Sequence, residues 1–221
     1  MKRSTAYVSV VLLLTVLSGC GAAAKTIAMK AQSERADIFQ EISGAEAVPP
    51  GYADLTIRAN IKTHVEGYYI GESKESAHGK GVYPFLVNID GQAAVWKAEG
   101  KMHVLPRYVG GKTNRDPEAG EGIKYVLNKK IRLRAGSHKL FFGLPEDDYY
   151  REVVIHVKEG EAQVMEFKPE YSYKTVLKKG ESQVIEFNPV YKYKRRTTRI
   201  PTYLKGVSRY DIFVNGSPVA Q

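Results

Sequence analysis

The chain has 221 residues, with 33 Lys plus Arg against 24 Asp plus Glu, a formal net charge of +9 and one cysteine. A single cysteine excludes an intramolecular disulfide framework. The basic balance is compatible with lipopolysaccharide, acidic polymers or anionic headgroups as partners, and equally with a solvated basic surface.

Lys2 and Arg3 precede an apolar run from Val8 to Leu17 that is broken only by Ser9 and Thr15. That run is too short for a comfortable membrane span and has the layout of a targeting segment. It ends in Leu17-Ser18-Gly19-Cys20. These four residues resemble the lipobox of bacterial lipoproteins. The resemblance implies a signal peptide over residues 1–19, an acylated Cys20 as the new N-terminus, and attachment to a membrane through that lipid. An ordinary secretory signal with an incidental cysteine is the alternative. Gly21 stands where an Asp would resemble an inner-membrane retention signal. The expected location is therefore the cell envelope, at the periplasmic face of the outer membrane.

Residues 20–51 are expected to be a tether. Ile27, Ala31, Ile38 and Ile42 are loosely spaced without an amphipathic stripe, which allows one short helix. Val48-Pro49-Pro50-Gly51 ends the segment. The folded domain is then expected over 52–221, about 170 residues, enough for one core.

Leu55 to Ile61 alternates as a first strand. His64 to Gly81 is polar and glycine-containing, a long loop. Val82–Ile89 and Ala93–Ala98 flank Asp90-Gly91, whose residue types suit the positive-φ positions of a two-residue hairpin. Val109–Gly122 is a second long loop. Loops of this length are candidate binding regions by position.

From Lys130 onward, short β-branched and aromatic runs are separated by turn residues. Ile131–Arg134, His138–Phe142, Val153–Val157 and Gln163–Phe167 predict an antiparallel meander. Within it a segment repeats: Gly160-Glu161-Ala162-Gln163-Val164-Met165-Glu166-Phe167 returns as Gly180-Glu181-Ser182-Gln183-Val184-Ile185-Glu186-Phe187. The repeat units are 160–174 and 180–194, and they predict two successive hairpins turning at Glu159-Gly160 and Lys179-Gly180. The offset of 20 is even, so a copied strand keeps its inward and outward sets. Met165, Phe167, Tyr171 and Tyr173 share one parity, as do Ile185, Phe187, Tyr191 and Tyr193.

Asn88-Ile89-Asp90-Gly91, then Ile131 to Leu140 with Gly136 and His138, then the Val153–Phe167 pair resemble a PEGA-type domain. More broadly they are similar to the transthyretin-like or carboxypeptidase-regulatory-like β-sandwich. The PEGA tetrapeptide itself is absent, with Gln92-Ala93-Ala94 in its place. The resemblance implies an all-β, antiparallel Ig-like or transthyretin-like sandwich, here carrying the duplicated hairpin, and a non-catalytic envelope module.

Chemistry-bearing residues are sparse. His64, His78, His103, His138 and His156 have no metal-ligand spacing, and there is no G-x-S-x-G elbow. Glu146-Asp147-Asp148 lacks the alternating ligands of a calcium loop. The expectation is no catalytic residue, no metal and no cofactor. It is accordingly a non-enzymatic binding or scaffolding lipoprotein, against the alternative of an envelope-polymer hydrolase built from the long loops. A candidate binding surface is formed by Tyr171, Tyr173, Tyr191 and Tyr193 with Lys192, Lys194, Arg195 and Arg196, facing an envelope protein or anionic glycan rather than nucleic acid. Tyrosines that merely cap the core's edge are the competing account.

Overall fold

The computed structural model describes residues 21–44, 46–66, 74–114, 116–171, 173–176, 198–201 and 207–219. These residues are predominantly β with one α-helix. In chain order the elements are α1 (Ala22–Lys30), β1 (Phe39–Glu41), β2 (Tyr52–Thr63), β3 (Val82–Ile89), β4 (Gln92–Leu105), β5 (Tyr108–Val109), β6 (Lys112–Thr113) and β7 (Gly120–Arg134). There follow β8 (Gly136–Leu144), a 3-10 turn (Pro145–Asp147), β9 (Tyr149–Val157), β10 (Ala162–Tyr171), β11 (Tyr173–Val176), β12 (Thr198–Pro201), β13 (Val207–Val214) and β14 (Ser217–Pro218). The chain divides into two compact units. Unit 1 contains residues up to Thr56 together with Pro84–Lys97 and Lys129–Gln163, and unit 2 contains Ile57–Tyr83, Ala98–Asn128 and residues from Val164 onward. The long strands β2, β4 and β7 contribute residues to both.

In unit 1, β8 pairs antiparallel with β3 on one side and with β9 on the other, and β1 pairs with β7. Both β3 and β8 are apolar over consecutive residues: Phe85, Leu86 and Val87 in one, Leu140, Phe141 and Phe142 in the other, all at most 2% exposed. A strand buried on both faces reads as a continuous apolar run and takes an inner place. Of the expected meander, the β8–β9 hairpin forms and the other two steps do not. β7 does not pair with β8, and β10 pairs with β13 and has β2 on its other side rather than folding back on β9. The chain does turn at Glu159-Gly160, with Gly160 at φ 74, but its contacts run to the start of β2: Gly160 N donates to Tyr52 O and Asp54 N to Glu161 O.

The segment expected to be a tether is built into unit 1. Ile27 of α1 is 4% exposed and packs with Leu86 and Phe141. Phe39 meets Trp96 edge-on at 6.3 Å, and Trp96 Nε1 donates to Glu41 Oε1 at 2.6 Å. The Gln92 side chain completes the backbone of this stretch, accepting from Ile38 N and Phe39 N and donating to Phe39 O. Two isolated apolar side chains, Ile27 and Phe39, gave no stripe in sequence because each packs against a different part of the unit.

In unit 2, β10 pairs with β13 and β13 with β14, β4 pairs with β7, and β5 with β6 around Gly110-Gly111, so the second expected loop contains a tight hairpin. The core collects Ile57, Ala59 and Ile61 of β2, Tyr125 and Leu127 of β7, Met165, Phe167 and Tyr171 of β10, and Tyr210 and Ile212 of β13. The odd parity of β10 is inward, as its alternation predicts. Among the described residues, β11 pairs with β12 in a two-stranded sheet of their own.

Asp54 is the buried charge of unit 1, its side chain 2% exposed. Arg132 grips it through Nε at 2.7 Å and Nη2 at 3.2 Å, and Lys130 Nζ lies 2.9 Å away. The Arg132 hydrogen bonds hold the Asp54 carboxyl below its ordinary value against the opposing effect of burial. A carboxylate whose folded value is depressed contributes stability above the unfolded value of about 4, and that contribution is lost as pH falls through the folded value. Asp54→Ala is expected to cost about 3 kcal/mol in urea unfolding, because it strands a cation. Asp54→Asn should flatten the decline of stability below about pH 4; an acid limb identical to wild type would show that other carboxylates carry it.

Candidate functional site

The turn between β3 and β4 organises one surface of unit 1. Asp90 and Gly91 have φ 47 and 95, as a two-residue hairpin of the favoured type requires. Asp90 Oδ2 lies 2.7 Å from His138 Nδ1, Asp90 Oδ1 accepts from Lys139 N at 2.8 Å, and His138 Nε2 lies 2.8 Å from Arg134 O. The acidic turn and the Gly136-x-His138 segment, 48 residues apart in sequence, are thus joined directly. On the same turn Asn88 Nδ2 donates to Lys30 O, Asn88 Oδ1 accepts from Gly91 N, and Gly91 O accepts from Glu34 N and Arg35 N. The end of α1 is therefore fixed to β3 and β4 by polar contacts, and its middle by Ile27.

Between α1, this turn and β8–β9 lies a groove of about 490 Å³. Its apolar side chains include Phe141, Met29 and Val154, the last two 59% and 53% exposed. Its rim carries both signs: Lys30 and Lys139 against Glu34, Asp90 and Glu152, with Lys30 Nζ 3.7 Å from Glu152 Oε1. β9, which forms one wall, is hydrogen-bonded to a neighbouring strand only through β8 among the described residues. Exposed apolar area, mixed charges and an open strand edge together suit the docking of an extended polypeptide.

The loop histidines separate into two settings in unit 2. His64 and His78 meet, Nδ1 of His78 lying 3.4 Å from Nε2 of His64, and His64 Nδ1 lies 2.9 Å from Val65 O. They are 3% and 6% exposed, and His78 stacks on Tyr83 at 6.2 Å. Gly79 N donates to Thr63 Oγ1, and Tyr125 OH donates to Lys80 O at 2.7 Å, so the pair pins residues 76–80 to the end of β2. Burial pushes the Tyr125 phenol up. His103 does not join them. It lies opposite Gly122, with Nδ1 3.8 Å from Glu118 Oε2, inside ion-pair range and outside hydrogen-bond range.

Lys62 is fully buried beside that carboxylate. Its Nζ donates to Glu118 O and to Gly120 O at 2.8 Å, while Lys124 holds Glu118 Oε2 at 2.7 Å. Burial pushes the Lys62 ammonium below its ordinary value, and the charge of Glu118 opposes that. A Cβ on Gly122 would come within 2.7 Å of Lys62 Cε, so glycine here makes room for the lysine stem. With no exposure, Lys62 holds a loop in place and does not present a reactive amine. Among the described residues no three His, Cys, Asp or Glu side chains converge to hold a metal ion.

Tyr171 is corrected from surface to core. It is 3% exposed; Lys62 N donates to its hydroxyl oxygen at 2.8 Å, and its own O–H reaches Glu118 Oε1 at 3.2 Å. Tyr173 belongs to β11 by its backbone. Cys20, Tyr191, Lys192, Tyr193, Lys194, Arg195 and Arg196 lie outside the described residues. The α1 groove was not anticipated; the only trace of it in the sequence is a helical stretch with one deeply apolar position.

The Asp90 link is testable. Asp90→Ala loses two hydrogen bonds and leaves an ordinary side chain at positive φ, an expected loss of about 2 kcal/mol in denaturant unfolding. Asp90→Asn, which tolerates that backbone region, should lose clearly less; equal losses would assign the whole effect to the carboxylate. No protein-family model, curated protein or solved structure matches the chain.

Proposed function

We propose that this chain is a lipid-anchored, non-enzymatic binding module of the bacterial envelope, acylated at Cys20 and docking a protein partner in the α1 groove. The observation that carries it is the position of α1. The helix begins two residues after Cys20 and forms a wall of the groove, so the attachment point and the exposed docking face belong to one short stretch. The Leu17-Ser18-Gly19-Cys20 sequence supports the anchor. The 2.7 Å contact between Asp90 and His138 supports the PEGA-type or transthyretin-like sandwich, because it joins the two segments on which that resemblance rests. Gly21, where an Asp would resemble an inner-membrane retention signal, supports the outer membrane over the inner one. A binding role is favoured over a hydrolase by the burial of His64 and His78, whose rings face each other and the backbone instead of solvent.

The anchor and the groove are tested separately. Cys20→Ser should fail to incorporate labelled fatty acid and should leave the membrane fraction; equal membrane retention of variant and wild type would remove the lipid anchor. Met29→Asp with Val154→Asp, both exposed positions, should reduce at least tenfold the partner crosslinked in intact envelopes while the melting temperature stays within about 2 °C. Unchanged crosslinking would remove the groove.

A further inference from the structure

Among the described residues β9 ends the order of its sheet, with β8 on its hydrogen-bonded side. The direction of its outer backbone groups follows from Lys139. Lys139 O accepts from Asp90 N at 3.1 Å and Lys139 N donates to Asp90 Oδ1 at 2.8 Å, so the backbone of Lys139 faces the β3–β4 turn and not β9. Its opposite residue in the β8–β9 ladder is Val154. Antiparallel pairs alternate between bonded and non-bonded residues. Val154 is therefore of the non-bonded kind, and its N–H and C=O point to the outer edge. Tyr150, Glu152 and His156 have the same parity and point outward with it. Among the described residues no backbone partner meets these four on that side.

Such an edge is a template for another strand, and proteins commonly guard it with charge. Charge of one sign would repel a second copy, but here the sign changes along the strand. The exposed face of β9 runs Tyr150, Glu152, Val154, His156, with Lys158 just beyond. Glu152, Val154 and Lys158 are 61%, 53% and 77% exposed. Turned end for end about Val154, this strand meets itself with Val154 against Val154 and Glu152 against His156, whose ring N–H can donate to a carboxylate. Tyr150 then meets Lys158, and on the other face Val153 meets Ile155. Neighbouring registers match less well. An axis at Glu152 sets two carboxylates against each other, and one at Val153 leaves Glu152 against Val154. An axis at Ile155 offers charges only at Lys158 and Glu159, past the end of the strand, where Glu159 already accepts from Gly51 N.

We propose that β9 pairs antiparallel with β9 of a second copy of this chain, about a two-fold axis at Val154. An outward-facing residue on the axis exchanges both N–H···O bonds with its own counterpart, and Glu152 with His156 does the same on each side of it. The main-chain bonds hold the two edges together, and the opposed side chains fix the register. A surface complementary to itself closes as a dimer and leaves no further edge of β9 open. The inference goes beyond the groove reading. Val154 also lines the α1 groove, but the pairing uses the strand edge and stands whether or not the groove takes a partner.

The test uses the full-length chain with Cys20→Ser, so that an engineered thiol is the only one. Sedimentation is expected to show a monomer–dimer equilibrium. Under mild oxidation Val154→Cys should close with itself. Glu152→Cys and His156→Cys should each stay open alone, since like positions lie about 13 Å apart in this register, and should close when the two chains are mixed. Val154→Pro removes an outward N–H that an edge strand can spare, so the dimer should be lost while the melting transition is kept. Glu152→Lys should weaken the dimer about tenfold, and Glu152→Lys with His156→Glu should restore it, which decides the matter if the proline variant fails to fold. Met29→Asp, on α1, should leave the dimer intact while lowering capture of a groove partner, so the two readings fail separately. A chain that is monomeric at every concentration would overturn the proposal. So would thiols that close equally at all three positions, or a folded Val154→Pro chain that still dimerises.

Discussion

The five residues from Asn88 to Gln92 are the constraint on which unit 1 depends. A two-residue hairpin turn leaves backbone groups and two short polar side chains at its tip, and here each is used. The Asp90 carboxylate holds His138 and the Lys139 amide of β8; Asn88 holds the last carbonyl of α1; the Gly91 carbonyl receives two amides from the chain after it. Gln92 then serves as a side-chain stand-in for a strand, giving one acceptor and one donor to the backbone around Phe39. Backbone polar groups that leave water must be paired. A stretch with few apolar residues can therefore be ordered by a neighbour's side-chain amides, and a helix with one buried isoleucine can be held at both its middle and its end.

Unit 2 solves a different problem, the burial of a cation. An ammonium removed from water is costly unless hydrogen-bonded and offset by opposite charge. Lys62 has the carbonyls of Glu118 and Gly120 and the nearby Glu118 carboxylate, itself paired with Lys124. The space comes from Gly122, where a side chain would strike the lysine stem. Tyr171 completes the arrangement by accepting the Lys62 amide and reaching Glu118, which is why a tyrosine at the end of an apolar strand lies inside rather than at a rim. One buried charge thus fixes the loop before β7, the glycine within β7 and the last inward residue of β10.

How much of this was legible in sequence varies with the range of the interaction. The Asp90-Gly91 turn was legible because two adjacent residues with the right backbone preference are a local signal. The parity of Met165, Phe167 and Tyr171 was legible because strand alternation is local too. The separation of β7 from β8 and of β9 from β10 was not, since it depends on which strands need cover on both faces, and that shows only as the unbroken runs at Phe85–Val87 and Leu140–Phe142. The docked tether was missed for a related reason. Its side chains act one at a time, Ile27 on Phe141, Phe39 on Trp96, and Glu41 between Trp96 and Lys129, so no periodicity announces them. The meeting of His64 with His78 depends on the path of a loop, and spacing carries no record of it.

The docking of α1 also changes what an anchor at Cys20 means. A flexible tether of some thirty residues lets a domain roam tens of ångströms from its attachment. Here the chain is committed to the fold from Ile27 onward, and a nine-residue helix extends only about 14 Å. An acyl group on Cys20 would therefore keep the start of α1 at the headgroup level and the groove a short distance above it. Lys25 lies in the first turn of that helix, and a basic residue near an anionic surface adds roughly 1 kcal/mol of attraction. With that anchor, a partner entering the groove would have to be at or near the membrane, and its approach would be limited to the side that the bilayer leaves open. An anchor so short and docked would select partners by position, before any contact between side chains is made.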